Sequence, residues 1–188
     1  MFGGYGLWPL STLRKYMSNY RRAYQPGGCY FFTLVTHQRQ PWLTQPANIE
    51  RLRLAFRTVK AARPFEMDAV VVMPDHLHCL WRLPEGDSDF SERWRQIKRF
   101  VSIGVAAKTN ARGEKLLWQR RFWEHVIRDQ EDWNKHMDYI HYNPVKHGYV
   151  DSPSAWTYSS FNRALERGWY EPNWGKQEPA SIAGLNFE

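Results

Sequence analysis

The stretch that most restricts the fold runs from Val70 to Pro84, "VVVMPDHLHCLWRLP". Two apolar runs, rich in β-branched and aromatic residues, are split by Pro74-Asp75. The segment therefore reads as a hairpin of two strands, "FEMDAVVVM" and "HLHCLWRL". Side chains alternate across a strand, so His76 and His78 share one face while Leu77 and Cys79 take the other. Two imidazoles side by side can hold a metal ion. They can equally be satisfied by backbone groups or sit half-exposed at a strand end.

The rest of the chain supplies companions for that hairpin. "CYFFTLVT" (29–36), bounded by Pro26-Gly27-Gly28 and Pro41, is a strand, and "FWEHVIRD" (122–129) is a fourth. Asn48 can cap a helix carrying Leu52, Leu54, Ala55, Phe56 and Val59 up to Pro64. Residues 87–108 form a helix capped near Asp89 or Ser91, with Trp94, Ile97, Val101 and Val105 on one stripe. "DQEDWNKHMDYIHYNP" (129–144) is a helix stopped by Pro144, and 152–168 is a last helix ending at Gly168. The order β, α, β, β, α, β, then helices, predicts an α+β, ferredoxin-like (RRM-like) fold. Its antiparallel four-stranded sheet carries helices on one face, with additional C-terminal helices. The first and third strands are then central, which places the histidine pair mid-sheet.

Composition narrows the function classes. At 188 residues and 43% hydrophobic content the chain can build a core, and no run approaches the ~18 apolar residues of a membrane span. Two cysteines outside any CxxC pair point to a reducing, cytoplasmic setting rather than to disulfides. The net charge of +7 is uneven: ten basic residues face only Glu50 between Arg14 and Arg63. Nine more lie between Arg93 and Arg121, with Glu92 just ahead and Glu114 inside. With 16% aromatic residues interleaved, such a surface suits single-stranded or distorted nucleic acid; a solvated basic surface over an aromatic core is the alternative.

On the 129–144 helix, Trp133, Met137 and Ile140 form a core stripe, and Tyr139 and Asn143 stand one turn apart on its flank. Docked beside the histidine strand, they would bring a phenol and an amide oxygen to the metal. Neutral ligands leave a divalent ion able to polarise a phosphodiester oxygen, and the phenol would be the nucleophile. Taken singly, Tyr139 is equally one of ten tyrosines in the structure of the chain.

"HLH" in an apolar strand and "YIHYNPVKHGYV" downstream resemble the HUH single-tyrosine transposases, IS200-like, and specifically the REP-associated tyrosine transposase group. The likeness extends over "SNYRRAYQPGG", "RPFEMDAVVVMPDHLHCLWRLPEGDSDFSERWRQIKRF", "RFWEHVIRDQEDWNKHMDYIHYNPVKHGYV" and "WTYSSFNR". It implies that His76, His78 and Asn143 are metal ligands for Mg²⁺ or Mn²⁺ and that Tyr139 is the nucleophile. The implied activity is a strand cleavage and rejoining through a 5′-phosphotyrosine. The implied partner is a single-stranded REP hairpin with a 5′ GTAG-like tetranucleotide, bound by a monomer in the cytoplasm at the nucleoid. It divides the chain into a 1–17 extension, with Met17 as the expected start, a transposase domain at 18–168, and a 169–188 tail. Tyr20, Arg21, Arg22 and Tyr24 are expected to meet bases and phosphates. Arg93, Arg95, Lys98 and Arg99 can line the hairpin stem, or form a solvated helix face. A hairpin-binding protein of DNA or RNA without turnover, and a metallohydrolase in which Tyr139 is structural, are the other two readings.

Overall fold

The computed structural model describes residues 22–187. Strands β1 (Cys29–Val35), β2 (Glu66–Val72), β3 (His76–Arg82) and β4 (Trp123–Val126) form one antiparallel sheet in the order β2-β3-β1-β4. This is the ferredoxin-like order, with β3 and β1 central. Helices α1 (Pro46–Ala62) and α2 (Phe90–Ile103) cover one face. Helix α3 (Gln130–Lys146), the first of the added helices, covers the other.

The pleat sorts the core between the two faces. Tyr30, Phe32 and Leu34 of β1 and Leu77, Cys79 and Trp81 of β3 point to α1 and α2, where Leu52, Ala55, Val59, Trp94, Ile97 and Val101 meet them. Phe31, Val71 and Leu80 point to α3 and bury against Met137 and Ile140. Because β1 and β3 register Thr33 opposite His78 and Val35 opposite His76, both histidines fall on the α3 face. The period-2 alternation thus aims the histidine pair at the helix that carries Tyr139 and Asn143.

Four boundaries differ from those expected. α1 begins at Pro46, where a fixed φ suits the first turn, and Asn48 lies inside that turn, donating from Nδ2 to the Trp42 carbonyl at 2.7 Å. α2 ends at Ile103, before Val105, and its N-terminus is capped by Asp89, which accepts from the Glu92 amide at 2.9 Å. α3 does not stop at Pro144 but runs to Lys146. A proline in the last turn removes a single ladder bond, and the stop comes from Gly148 at φ +69°, whose left-handed backbone lets Tyr149 N–H reach the Pro144 carbonyl. Residues 152–168 are not one helix. After a 3-10 turn at Pro153–Ala155 and a further turn, the chain meets the edge of β2 in one antiparallel bridge between Ser159 and Val71, with Val72 N–H on the Tyr158 carbonyl and Ser160 N–H on the Val70 carbonyl. Only Phe161–Glu166 is helical, as α4. The open edge of β2 offered backbone partners that helix propensity alone does not weigh.

Arg93 departs furthest from its expected place. Its side chain is 1% exposed and turned inward, with Nη2 2.6 Å from Asp87 Oδ2 and further bonds to the carbonyls of Arg63, Pro64 and Asp89. It joins the start of α2 to the end of α1 and cannot line a hairpin stem. Arg93→Met, which keeps much of the volume but strands four carbonyl and carboxylate acceptors, is expected to cost about 3–5 kcal/mol of unfolding free energy. Urea denaturation measures it; a loss below 1 kcal/mol would contradict the clamp.

Candidate active site and nucleic-acid interface

The histidine pair is held by two neighbours that dictate its tautomers. Asp75, in the β2–β3 turn, lies 2.7 Å from His76 Nδ1. A carboxylate only accepts, so Nδ1 donates to it, and the neutral imidazole then carries its lone pair on Nε2. That Nε2 lies 3.3 Å from the Asn143 side-chain oxygen, so the two atoms are placed to serve one cation together. Thr33 Oγ1 donates to the Phe187 carbonyl at 2.9 Å, leaving it to accept from His78 Nδ1 at 2.9 Å. His78 Nε2 is then also a bare lone pair, and it is buried with no hydrogen-bond partner among the described residues. Complete burial holds the His78 imidazole well below its ordinary pKa, in the neutral form a metal ligand needs. Two imidazole nitrogens and one amide oxygen, none of them charged, fit a divalent cation whose shell is completed by oxygen ligands.

Tyr139 lies beside this set. Its ring is 1% exposed and meets the His78 ring edge-on with centroids 5.3 Å apart. Lys146, two turns further along α3, donates to Tyr139 Oη at 3.2 Å and lies over its ring at 4.6 Å. A second donor to Oη is the backbone amide of Phe187 at 3.2 Å. The expected metal and nucleophile residues His76, His78, Tyr139 and Asn143 are therefore brought together. Asp75, Thr33, Lys146 and Phe187 join them unannounced.

A separate cluster, His125, Asp132 and His136, ties β4 to α3. The Asp132 carboxylate takes His125 Nε2 at 2.8 Å and the Arg128 guanidinium at 3.1 Å, and these partners hold it down at about 2 against the upward push of burial. With an arginine already on its carboxylate, this group works as an ion-paired clamp.

The expected DNA-contacting residues fall into three sets. Tyr20 and Arg21 lie outside the described residues. Arg22 puts Nη1 2.6 Å from Glu124 Oε2, whose side chain is 1% exposed, and stacks its guanidinium 3.9 Å over the Phe122 ring. It anchors the arm to β4. Tyr24 is half exposed and stacks on Phe90 at 5.2 Å. Arg95, Lys98 and Arg99 line a groove of about 730 Å³ between α2 and the 108–120 segment, facing Lys115 and Arg120. Within it Arg95 pairs with Glu92, whereas Arg99 and Arg120 make no ion pair among the described residues. Lys98 donates to the Gln119 carbonyl at 2.8 Å, and its burial brings the ammonium down to about 8.

A ferredoxin-like sheet presenting two inward histidines to a helix-borne tyrosine and amide defines a class. The family of IS200-like transposases matches residues 27–143, and the chain belongs to it; the enzymes of this family are metal-dependent. Within the class the likeness is narrower. The chain is 49% identical over 158 residues to the REP-associated tyrosine transposase of Escherichia coli, a match covering 84% of this chain and 91% of that protein. A Haemophilus influenzae relative is 41% identical over 176 residues, 89% of this chain and 99% of its own. Among solved structures, a REP-associated tyrosine transposase bound to a REP hairpin superposes with a TM-score of 0.75 at 46% identity, over 88% of this chain and 96% of that one.

Proposed function

We propose that the chain binds REP hairpins bearing a 5′ GTAG-like tetranucleotide and cleaves and rejoins the adjoining single strand, with Tyr139 as nucleophile. The observation that carries this reading is the placement of the His76 and His78 rings and the Asn143 oxygen together beside a buried phenol. Mg²⁺ or Mn²⁺, held by His76, His78 and Asn143, would supply Lewis-acid polarisation of a phosphodiester oxygen. Lys146 donates to the phenol oxygen, a contact that stabilises negative charge developing there during attack. Tyr139 Oη bonds to phosphorus as the P–O3′ bond breaks. The phenol proton goes to solvent, and the 3′ oxygen leaves as a hydroxyl after taking up a proton. The 3′-hydroxyl, attacking the 5′-phosphotyrosine in reverse, rejoins the strand. Arg99 and Arg120 meet stem phosphates from the α2 groove, and the arm ahead of Tyr24 carries the bases of the tetranucleotide. On this reading the protein acts as a monomer.

Incubation with a labelled REP hairpin and Mn²⁺, followed by a denaturing gel, tests this. A cut accompanied by a heat-stable protein–DNA adduct is the expected result. A cut without an adduct would replace Tyr139 by water, and tight binding without a cut would leave a binding protein.

A further inference from the structure

One turn beside the metal set is built against the ordinary preference of its residues. Gln38 has φ +52° and Arg39 φ +51°, so two successive residues with side chains take the left-handed conformation that glycine normally supplies. Such a backbone costs free energy at both positions and persists only where its surroundings hold it. Arg39 N–H bonds to the Thr36 carbonyl at 3.1 Å, Gln40 N–H to the His37 carbonyl at 3.2 Å, and the buried Thr36 hydroxyl donates to the Gln40 carbonyl at 2.9 Å. Two backbone bonds then tie the turn to the β2–β3 turn, Thr36 N–H on the Asp75 carbonyl at 2.8 Å and Leu43 N–H on the Pro74 carbonyl at 2.9 Å.

What the turn delivers is a guanidinium. Arg39 Nη1 lies 3.0 Å from Asp75 Oδ2, while the other oxygen of that carboxylate, Oδ1, lies 2.7 Å from His76 Nδ1. The carboxylate is thus gripped at both oxygens, and its plane is fixed. A single bond to His76 would leave it free to swing about its last torsion, whose wells are broad. The cost of this arrangement is electrostatic as well as conformational, because a fixed positive charge near a cation site repels the cation.

We propose that Arg39 is a positioning residue for the metal set: held by the left-handed turn, it locks the Asp75 carboxylate in the orientation that aims His76 Nε2 at the ion. This role rests on His76, His78 and Asn143 being the metal ligands. Arg39 touches neither the ion nor the reacting atoms, and acts through Asp75 and then His76. Groups one step behind a ligating histidine orient its ring and support its affinity, and here the support has a second member.

The test is Mn²⁺ binding to the full chain without DNA, read from the loss of the free-ion electron paramagnetic resonance signal, which needs no turnover. Arg39→Gln should weaken Mn²⁺ binding by about threefold to tenfold, less than the change expected at Asp75 itself. The sign is informative, since removing a positive charge would by Coulomb's law alone tighten binding. Arg39→Lys keeps the charge but not the planar fork and should recover part of the affinity. In an Asp75→Asn background Arg39→Gln should add nothing, because the guanidinium acts through that carboxylate. Unchanged or tighter Mn²⁺ binding by Arg39→Gln, with binding lost in His78→Ala, would overturn the positioning role and keep the metal set. An equal loss from Arg39→Gln in both backgrounds would overturn it too. Full Mn²⁺ affinity in His78→Ala would reject the metal set and the positioning role with it. Hairpin anisotropy in chelator completes the test: weaker hairpin binding by Arg39→Gln with unchanged Mn²⁺ affinity would place the guanidinium on a DNA phosphate instead.

Discussion

Tyr139→Phe is expected to bind a REP hairpin as the unaltered protein does and to yield neither a cut strand nor a covalent adduct. The ring is 1% exposed among Phe31, His78 and Phe187, so phenylalanine keeps the packing and loses one oxygen. What disappears from the fold is two neutral or charge-assisted bonds, from Lys146 Nζ and from Phe187 N–H, each worth about 1–2 kcal/mol at most. What disappears from the chemistry is the attacking atom, and loss of a nucleophile lowers turnover by about 10⁴-fold or more. Cleavage and adduct should fall together because one displacement produces both. Tyr142 is the substitute to exclude. It turns toward Trp174, with centroids 6.4 Å apart, and toward the Gly175 backbone, away from the His76–His78 set. Tyr142→Phe should therefore retain the adduct. An adduct that survived in Tyr139→Phe and vanished in Tyr142→Phe would move the nucleophile to position 142.

What could be read from the sequence here was whatever repeats at short range. Alternation along "HLHCLW" put His76 and His78 on one face, and the helical spacing of Trp133, Met137 and Ile140 fixed the rotation that brings Tyr139 and Asn143 inward. Pro144 is a weaker stop signal than the glycine at 148, whose positive φ ends the helix. The residues that orient the site were illegible for a different reason. Thr33 reaches His78 only because β1 and β3 pair in one register, 45 residues apart in sequence. Phe187 meets Tyr139 across 48 residues of connecting chain, and no local period announces such a return. Asp75, next to His76, is legible in the sequence, since a carboxylate beside a histidine is the usual orienting partner. Among the basic residues, charge counting could not separate Arg93 and Arg22, committed to Asp87 and Glu124, from Arg99 and Arg120 in the groove.

Replacing His78 by Ala, or adding a chelator to the unaltered protein, is expected to abolish cleavage while hairpin affinity stays within about twofold. On the proposed reading affinity comes from phosphate and base contacts made by the arm and the α2 groove, so losing the metal set should leave it standing. His76→Ala should behave alike, since its Nε2 supplies the lone pair facing the Asn143 oxygen. A graded effect separates ligands from their supports. Asp75→Asn keeps a group beside His76 Nδ1 but removes the charge that fixes its proton, so the metal concentration needed for half-maximal cleavage should rise by about 10–100-fold, with activity recovered at saturation. Asn143→Ala removes a neutral oxygen and should fall between the two. The measurement is cleavage rate against Mn²⁺ and Mg²⁺ concentration, with anisotropy for binding. Full cleavage by His76→Ala in chelator would reject the metal set outright. Cleavage by Asp75→Asn that is lost and not recovered at any metal concentration would instead make Asp75 a direct participant rather than an orienting group.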